Sequence, residues 1–390
     1  MRTVIIGGFV DYQIQLSKAL NKEGDSLVVI YSMSRRLPEE NLRIAGDSVK
    51  LRLLAREGPI YNPVVLFRFL RDCGRTLREI RRFRPDVVHF QIGSSMLAFL
   101  MPFLRAYPIV TTFHDPAPHS GEEKVWERFI HEYIRKRSCQ LLVHGEKLKQ
   151  LLIREYRVPA DKANTIPIGP HNVDAFLMHR HKDLKQEGAV VMFFGRILDY
   201  KGLGYLIKAE PLISAAVPDA KIVIAGTGDD MGRYEAMMVN RDRFRLYKHH
   251  IPYDEGALLF QSCRVVALPY IEASQSGVVS TAYGFGRPVV ATDVGAIPEI
   301  VDDGKTGLIV PPRDHVALAE AIIRLLKDPN LARRMGENGH RKLYTDMSWD
   351  NVVRQTMVVY ERAVVLYDGR KERTNEAPAG TCQETPGLVR

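Results

Sequence analysis

FFGRILDYKGLGYLI, residues 193–207, passes from an apolar run through Gly195 and Arg196 to Lys201 and Gly202 before a helical pattern begins. A buried strand that ends in glycine and hands over to a helix is the unit of an alternating α/β layer, and such layers place ligands outside the carboxyl ends of their strands. Arg196 and Lys201 are therefore expected at a ligand-bearing edge. A planar guanidinium fork and an ammonium point charge together suit two linked phosphates. Two solvated surface cations would show the same spacing; the flanking glycines favour the first reading.

The same alternation extends in both directions. Downstream come AKIVIAG, FRLYKHH, EGALLFQSC, RVVALPY, GVVSTAYGFG, PVVATD and GLIVPP, then helical patterns at about 314–327, 329–344 and 349–367. Upstream, TVIIGG, YQIQLSKALNKEG, SLVVIYS, VVLFRFLRDCGRTLREIRRF, DVVHF, PIVTTF and QLLVH repeat the strand and helix periods. Regularity lapses near residues 166–188, where Pro, Gly and polar residues collect. The expectation is an N-terminal doubly wound domain over 1–170, a linker at 171–188, and a second such domain over 189–346. A helix at 347–367 would cross back to the first domain, and a disordered tail would occupy 368–390, where apolar periodicity is lost.

A chain of 390 residues with 45% apolar and 26% charged residues is globular and too long for one core. The N-terminal apolar run is too short for a signal peptide, and the longest apolar stretch, MLAFLMPFL at 96–104, is less than half of the ~20 residues a spanning helix needs. An intracellular protein that is not integral to a membrane is expected. Cys73, Cys139, Cys263 and Cys382 are scattered, with no zinc-like spacing, so free thiols are expected. The net charge of +9 lies wholly in residues 1–188, which hold 30 Lys and Arg against 21 Asp and Glu.

Residues 268–312, LPYIEASQSGVVSTAYGFGRPVVATDVGAIPEIVDDGKTGLIVPP, add a second site element. Glu272 closes a strand, and Ser276 and Gly277 open a helix, so free N–H groups and the positive end of a helix dipole meet the same edge. A strand-end glutamate can equally be a capping or solvated carboxylate. The order of FFGRILDYKGL, AGTGDD, LPYIEASQSGV and GRPVVATDVGAIPEIVDDGKTGLIVPP, with VIIGG, TTFHD at 111–115 and NTIPIG at 164–169, resembles the retaining nucleotide-sugar glycosyltransferases of family 4. That resemblance implies the GT-B fold, two Rossmann-like domains facing a cleft.

By resemblance, Arg196 and Lys201 hold the donor diphosphate, with the backbone of Ser276, Gly277 and Val278 taking more of its charge. Glu272 contacts donor-sugar hydroxyls. Thr281 stands where the family usually has a ribose-binding glutamate. Gly7 and Gly8 approach the diphosphate or the acceptor across the cleft, and His114 lies beside the donor sugar; His119 and His171 are weaker candidates. No metal or other cofactor is expected, because fixed cations can receive the charge of the departing diphosphate. A dinucleotide site is disfavoured: GGFVDYQ lacks the third glycine of GxGxxG, and SLVVIYS ends without an acidic residue.

The reading is transfer of a sugar from a nucleotide diphosphate to a glycan or lipid-linked acceptor, in cell-envelope or exopolysaccharide synthesis. A nucleotide-sugar epimerase and a non-catalytic nucleotide-sugar binding protein are the alternatives. In FRFLRDCGRTLREIRRFR, Arg68, Arg71, Arg75, Arg78 and Arg82 recur at helical spacing opposite Phe67, Leu70, Leu77 and Ile80. This is a solvated helix face or a peripheral contact with anionic lipid at the inner face of the membrane. No nucleic-acid reader module is recognisable, and no oligomeric state is implied.

Overall fold

The computed structural model describes residues 1–92, 95–116, 125–182, 184, 188–228 and 230–376. His119, Asp229 of AGTGDD, Cys382 and residues 377–390 lie outside them.

The N-terminal sheet contains β1 (Thr3–Gly7), β2 (Ser26–Ser32), β3 (Lys50–Ala55), β4 (Val87–Ile92), β5 (Ile109–Phe113), β6 (Gln140–Val143) and β7 (Ala163–Thr165). Its order is β3-β2-β1-β4-β5-β6-β7, with all pairs parallel. Helices α1 (Val10–Leu20), α2 (Glu39–Ala45), α3 (Pro63–Phe83), α4 (Val125–Arg137) and α5 (Glu146–Arg154) accompany it, with a 3₁₀ segment at Ser95–Leu104. The expected linker holds a short helix, α6 (Val173–Leu177).

The second sheet contains β8 (Val190–Phe194), β9 (Lys221–Ala225), β10 (Phe244–Tyr247), β11 (Val265–Leu268), β12 (Val289–Thr292) and β13 (Gly307–Val310), in the order β10-β9-β8-β11-β12-β13. Helices α7 (Leu203–Ala216), α8 (Met231–Glu235), α9 (Tyr253–Ser262), α10 (Gly277–Gly284), α11 (Ile297–Ile300), α12 (His315–Lys327), α13 (Pro329–Tyr344) and α14 (Trp349–Glu376) follow. Strands such as TVIIG of β1 and VVMFF of β8 are near-continuous apolar runs, almost wholly buried, because helices cover both faces of a parallel sheet. Strand order reverses between β1 and β4 and between β8 and β11, which places a crevice at each carboxyl edge.

Three differences from the sequence reading have physical causes. Helix α14 crosses back as expected, setting Val352, Val353, Val359, Tyr360 and Ala363 into the core around Ile5 and Val28. It runs to Glu376, so the tail does not begin at 368. Strand β3 was not legible because it is an edge strand, where Arg52 interrupts the apolar residues and half of the strand meets solvent. On α3 the buried residues are Phe69, Thr76, Leu77 and Ile80, whereas Phe67 and Leu70 are 68% and 58% exposed. A helix of 21 residues is about 31 Å long, longer than the strands it covers, and its first turns overhang the sheet.

The domains are joined by specific polar contacts. The Glu299 carboxylate accepts the backbone N–H groups of Glu146 (2.6 Å) and Lys147 (2.9 Å), capping α5 from the other domain, and Lys147 Nζ meets Asp293 at 2.8 Å. At the linker, Asp11 accepts from the Asn172 N–H, and Gln15 donates to Asp174 at 2.7 Å. Burial pushes the Asp11 carboxyl up to about 6, with the Asp174 charge adding to the rise and the Asn172 N–H opposing it.

The native chain thus holds the Asp11 proton more tightly than the unfolded chain does. Its stabilising contribution is complete below about pH 4 and is lost as pH rises through 6. Asp11→Asn, which keeps an acceptor for Asn172, is expected to raise stability at neutral pH by about 1–3 kcal/mol and to match the parent near pH 4. Denaturant melts at the two pH values check this; a variant less stable than the parent at neutral pH contradicts it.

Candidate active site

The loop after β8 and the loop after β11 lie against each other at the carboxyl edge of the second sheet. Gly202 has φ +68°, and a Cβ there would fall 1.9 Å from the Pro269 carbonyl oxygen, so only glycine permits this approach. The Tyr200 carbonyl accepts the N–H groups of Ile271 (2.7 Å) and Glu272 (3.3 Å). Gly226 allows the loop after β9 to pass equally close, since its Cβ would meet the Gly195 carbonyl oxygen at 1.9 Å.

This contact orders two cations. The Tyr200 hydroxyl accepts from Arg196 Nη2 at 2.9 Å. Lys201 Nζ lies 3.8 Å from the Tyr270 ring centroid and 5.3 Å from that of Tyr200. Aromatic faces hold an ammonium without cancelling its charge. Tyr270 in turn lies 3.2 Å, hydroxyl to hydroxyl, from Ser276, the residue before α10. The neighbouring carboxylate of Asp199 is turned to Arg233 and the Tyr234 hydroxyl.

Arg196 and Lys201 open onto a cleft of ≈ 750 Å³. Ser276, Gly277, Val278 and Thr281 line it as well, so the structure brings together the expected cations and the N-terminus of α10. Asp115, from the end of β5, and His171, from the linker, complete its wall. A Cβ on Gly277 would fall 2.5 Å from His171 Nε2, so the missing side chain lets the linker imidazole lie against the helix start. Thr281 donates its hydroxyl to the Gly277 carbonyl at 3.3 Å, which leaves its oxygen lone pairs as acceptors for a ligand. Gln275 Oε1, also on the wall, is buried without a hydrogen-bond partner among the described residues.

Gly7, Gly8, Glu272 and His114 are not part of this lining. Gly7 serves strand packing, because a Cβ there would meet Gln91 at 2.6 Å. His114 is buried one residue behind Asp115, with Phe9 against its ring at a centroid distance of 4.1 Å. Both of its nitrogens are engaged: Nε2 with Gln91 Oε1 at 2.6 Å, and Nδ1 with His144 Nε2 at 3.2 Å. Gln91 Nε2 donates to His89 Nε2 at 3.1 Å, and His89 Nδ1 meets the Tyr360 hydroxyl of α14 at 2.6 Å. Burial pushes His89 down to about 3, His144 to about 4 and His114 well below its ordinary value, so the row is uncharged at neutral pH. The row links the crossover helix to the cleft wall.

Tyr200 and Tyr270 were missed in the sequence. The signal was present in their adjacency to Lys201 and to the end of a strand, but an aromatic there reads as core. Asp115 was visible only as part of TTFHD.

Two family profiles match the chain: "Glycosyltransferase Family 4" over residues 6–170 and "Glycosyl transferases group 1" over residues 188–328. An uncharacterized glycosyltransferase of Methanocaldococcus jannaschii is 28% identical across 93% of this chain and 96% of its own length. A phosphatidyl-myo-inositol mannosyltransferase of Mycolicibacterium smegmatis is 26% identical, with 91% and 90% covered. An Anabaena protein solved in complex with UDP-glucose shares the fold with a TM-score of 0.70 at 14% identity, over 93% of this chain and 99% of that one. With one profile on each domain and the cleft between two Rossmann-like sheets, the chain belongs to the group 1, family 4 glycosyltransferases of GT-B fold.

Proposed function

We propose that the protein is a retaining hexosyltransferase that moves a sugar from a nucleotide diphosphate to a glycan or lipid-linked acceptor in envelope or exopolysaccharide synthesis. The observation that carries this reading is the pairing of Arg196 and Lys201, held by Tyr200 and Tyr270, in one cleft with the start of α10. As the sugar–phosphate bond breaks, the diphosphate gains negative charge. Cations fixed beforehand meet that charge without reorganisation and lower the barrier more than they tighten ground-state binding. The cleft volume suits a nucleotide sugar. The Anabaena neighbour holds UDP-glucose, and the M. smegmatis relative bears the name of a lipid-acceptor enzyme; both support the donor and acceptor classes.

In this reading the N–H groups of Gly277 and Val278 take a phosphate, and Thr281 accepts from ribose. Glu272 and the Gly7–Gly8 turn reach the donor once acceptor and donor draw the domains together. His114, neutral and bonded on both sides, acts as a fixed support behind the cleft wall rather than as a general base. The leaving phosphate oxygen receives the acceptor proton, and no metal is required.

Arg196→Ala and Lys201→Ala are each expected to lower kcat/KM for the donor by about 10²–10³ with little change in thermal midpoint. Steady-state kinetics and melting curves check this; unchanged donor kinetics in both variants overturn the diphosphate assignment. A matching UDP-, GDP- or ADP-sugar at ~100 times its dissociation constant is expected to add about 2.7 kcal/mol of stability, a response that Arg196→Ala abolishes. Product analysis without acceptor separates the alternative: slow hydrolysis of the donor fits a transferase, whereas a free epimerised sugar points to the epimerase reading. NMR of the transferred product tests retention through its anomeric configuration.

A further inference from the structure

His171 comes from the linker, outside both sheets, yet its imidazole lies at the donor cleft. Gly169 and Asn172, at φ +72° and +60°, turn the chain on either side of Pro170 and His171. The second turn is pinned by the Asp11 carboxylate, which accepts the Asn172 N–H. A left-handed asparagine is uncommon and persists where its surroundings hold it. Between the two turns the imidazole meets the Tyr12 ring at 5.9 Å between centroids. Its Nδ1 lies 3.4 Å from the Gly169 carbonyl oxygen, which also accepts the His171 backbone N–H at 3.0 Å.

A carbonyl oxygen only accepts, so Nδ1 carries the hydrogen and the neutral ring has its lone pair on Nε2. Among the described residues the side chain is hydrogen-bonded at Nδ1 alone. Nε2 faces the start of α10, since it is the atom that a Cβ on Gly277 would meet at 2.5 Å. His171 therefore presents a basic nitrogen in the cleft that Arg196, Lys201, Gly277 and Val278 also line.

Charge decides which form of the ring is stable there. Burial holds His171 below its ordinary value, with the Gly169 carbonyl opposing. From α1 it faces Tyr12, whose phenol burial pushes up and keeps neutral, and from the ends of β5 and β6 it faces the neutral His114 and His144. Arg196, Lys201 and the positive end of α10 disfavour an imidazolium. The carboxylates on this side are Asp115 and Glu40 on the cleft wall and Asp11 at Asn172, and none of them outweighs the burial. A diphosphate reverses the balance, because it brings negative charge against Nε2 and neutralises the two cations.

We propose that His171 is a third ligand of the donor diphosphate, taking one proton from solvent onto Nε2 as the donor binds and then donating Nε2–H to a phosphate oxygen. The site thus carries a cation that exists only when it is occupied. An empty cleft avoids a third positive charge beside Arg196 and Lys201, and a filled one gains a charge-assisted hydrogen bond. The inference rests on the diphosphate reading of the cleft and adds that donor binding is coupled to proton uptake.

The experiment is isothermal titration calorimetry of the full chain with UDP-glucose, GDP-mannose and ADP-glucose as probes. It is run at about pH 6.5 in Pipes and in Bis-Tris, which differ in ionisation enthalpy, and the affinity is followed from about pH 6 to about pH 8. A nucleotide sugar suits the test because its diphosphate is esterified at both ends and binds no proton in this range. The expected result is a heat that differs between the buffers, corresponding to uptake of up to one proton per donor. Affinity is expected to fall by up to about tenfold per pH unit as pH rises through the histidine range. His171→Gln is expected to keep the parent's melting curve and lose both the buffer dependence and the pH dependence. It binds about 10- to 100-fold more weakly than the parent at about pH 6 and nearly as well at about pH 8. Donor binding by the parent without proton uptake overturns the inference and leaves the diphosphate reading standing, and the parent's measurement decides this without the variant. Uptake that His171→Gln retains assigns the proton to another group and also overturns it. Failure of all three sugars to bind overturns the diphosphate reading and the inference together.

Discussion

The contact of Gly202 with the Pro269 carbonyl is the constraint on which the site depends. It presses the loop after β8 onto the loop after β11 and aligns the Tyr200 carbonyl with two N–H groups of the facing loop. Arg196 and Lys201 are five residues apart in sequence, and without this contact each would be a flexible surface cation. Given the contact, Tyr200 and Tyr270 hold both. For Lys201 the aromatic holders matter, because ring faces fix an ammonium without cancelling the field a diphosphate needs.

The remaining architecture sets what faces those cations. The crossover helix carries Tyr360 to His89, and the row through Gln91 to His114 stiffens the wall that ends in Asp115. The Glu299 clamp on α5 and the linker contacts of Asp11 and Gln15 tie the N-terminal domain to the second domain and to the linker. Burial of Asp11 works against stability at neutral pH. It is tolerated where the chain crosses between domains and a backbone N–H has to be satisfied. A uniformly neutral histidine row, by contrast, carries no such charge penalty and contributes order.

Much of this was legible in residue order. Apolar runs ending in glycine, alternating with amphipathic stretches, specify parallel strands and covering helices, because the two periods cannot be exchanged. The paired elements FFGRILDYKGL and LPYIEASQSGV marked the edge where the cations lie. The edge strand β3 was not legible, because one exposed side dilutes its apolar signal. The true buried face of α3 was not legible either. Its arginine period was read correctly, but which apolar residues are covered depends on how far the sheet extends beneath the helix.

The sequence by itself therefore determined the double α/β layer, the two cations and the helix start that share an edge, since these follow from local periodicity and residue chemistry. Only the tertiary structure decided that Tyr200 and Tyr270 are the holders, that His114 is spent on Gln91 and His144 while Asp115 reaches the cleft, and that Phe67 belongs to the surface rather than the core. The reason is physical: a side chain's neighbours across a fold are set by where other strands end, and a chain carries no local record of that distance.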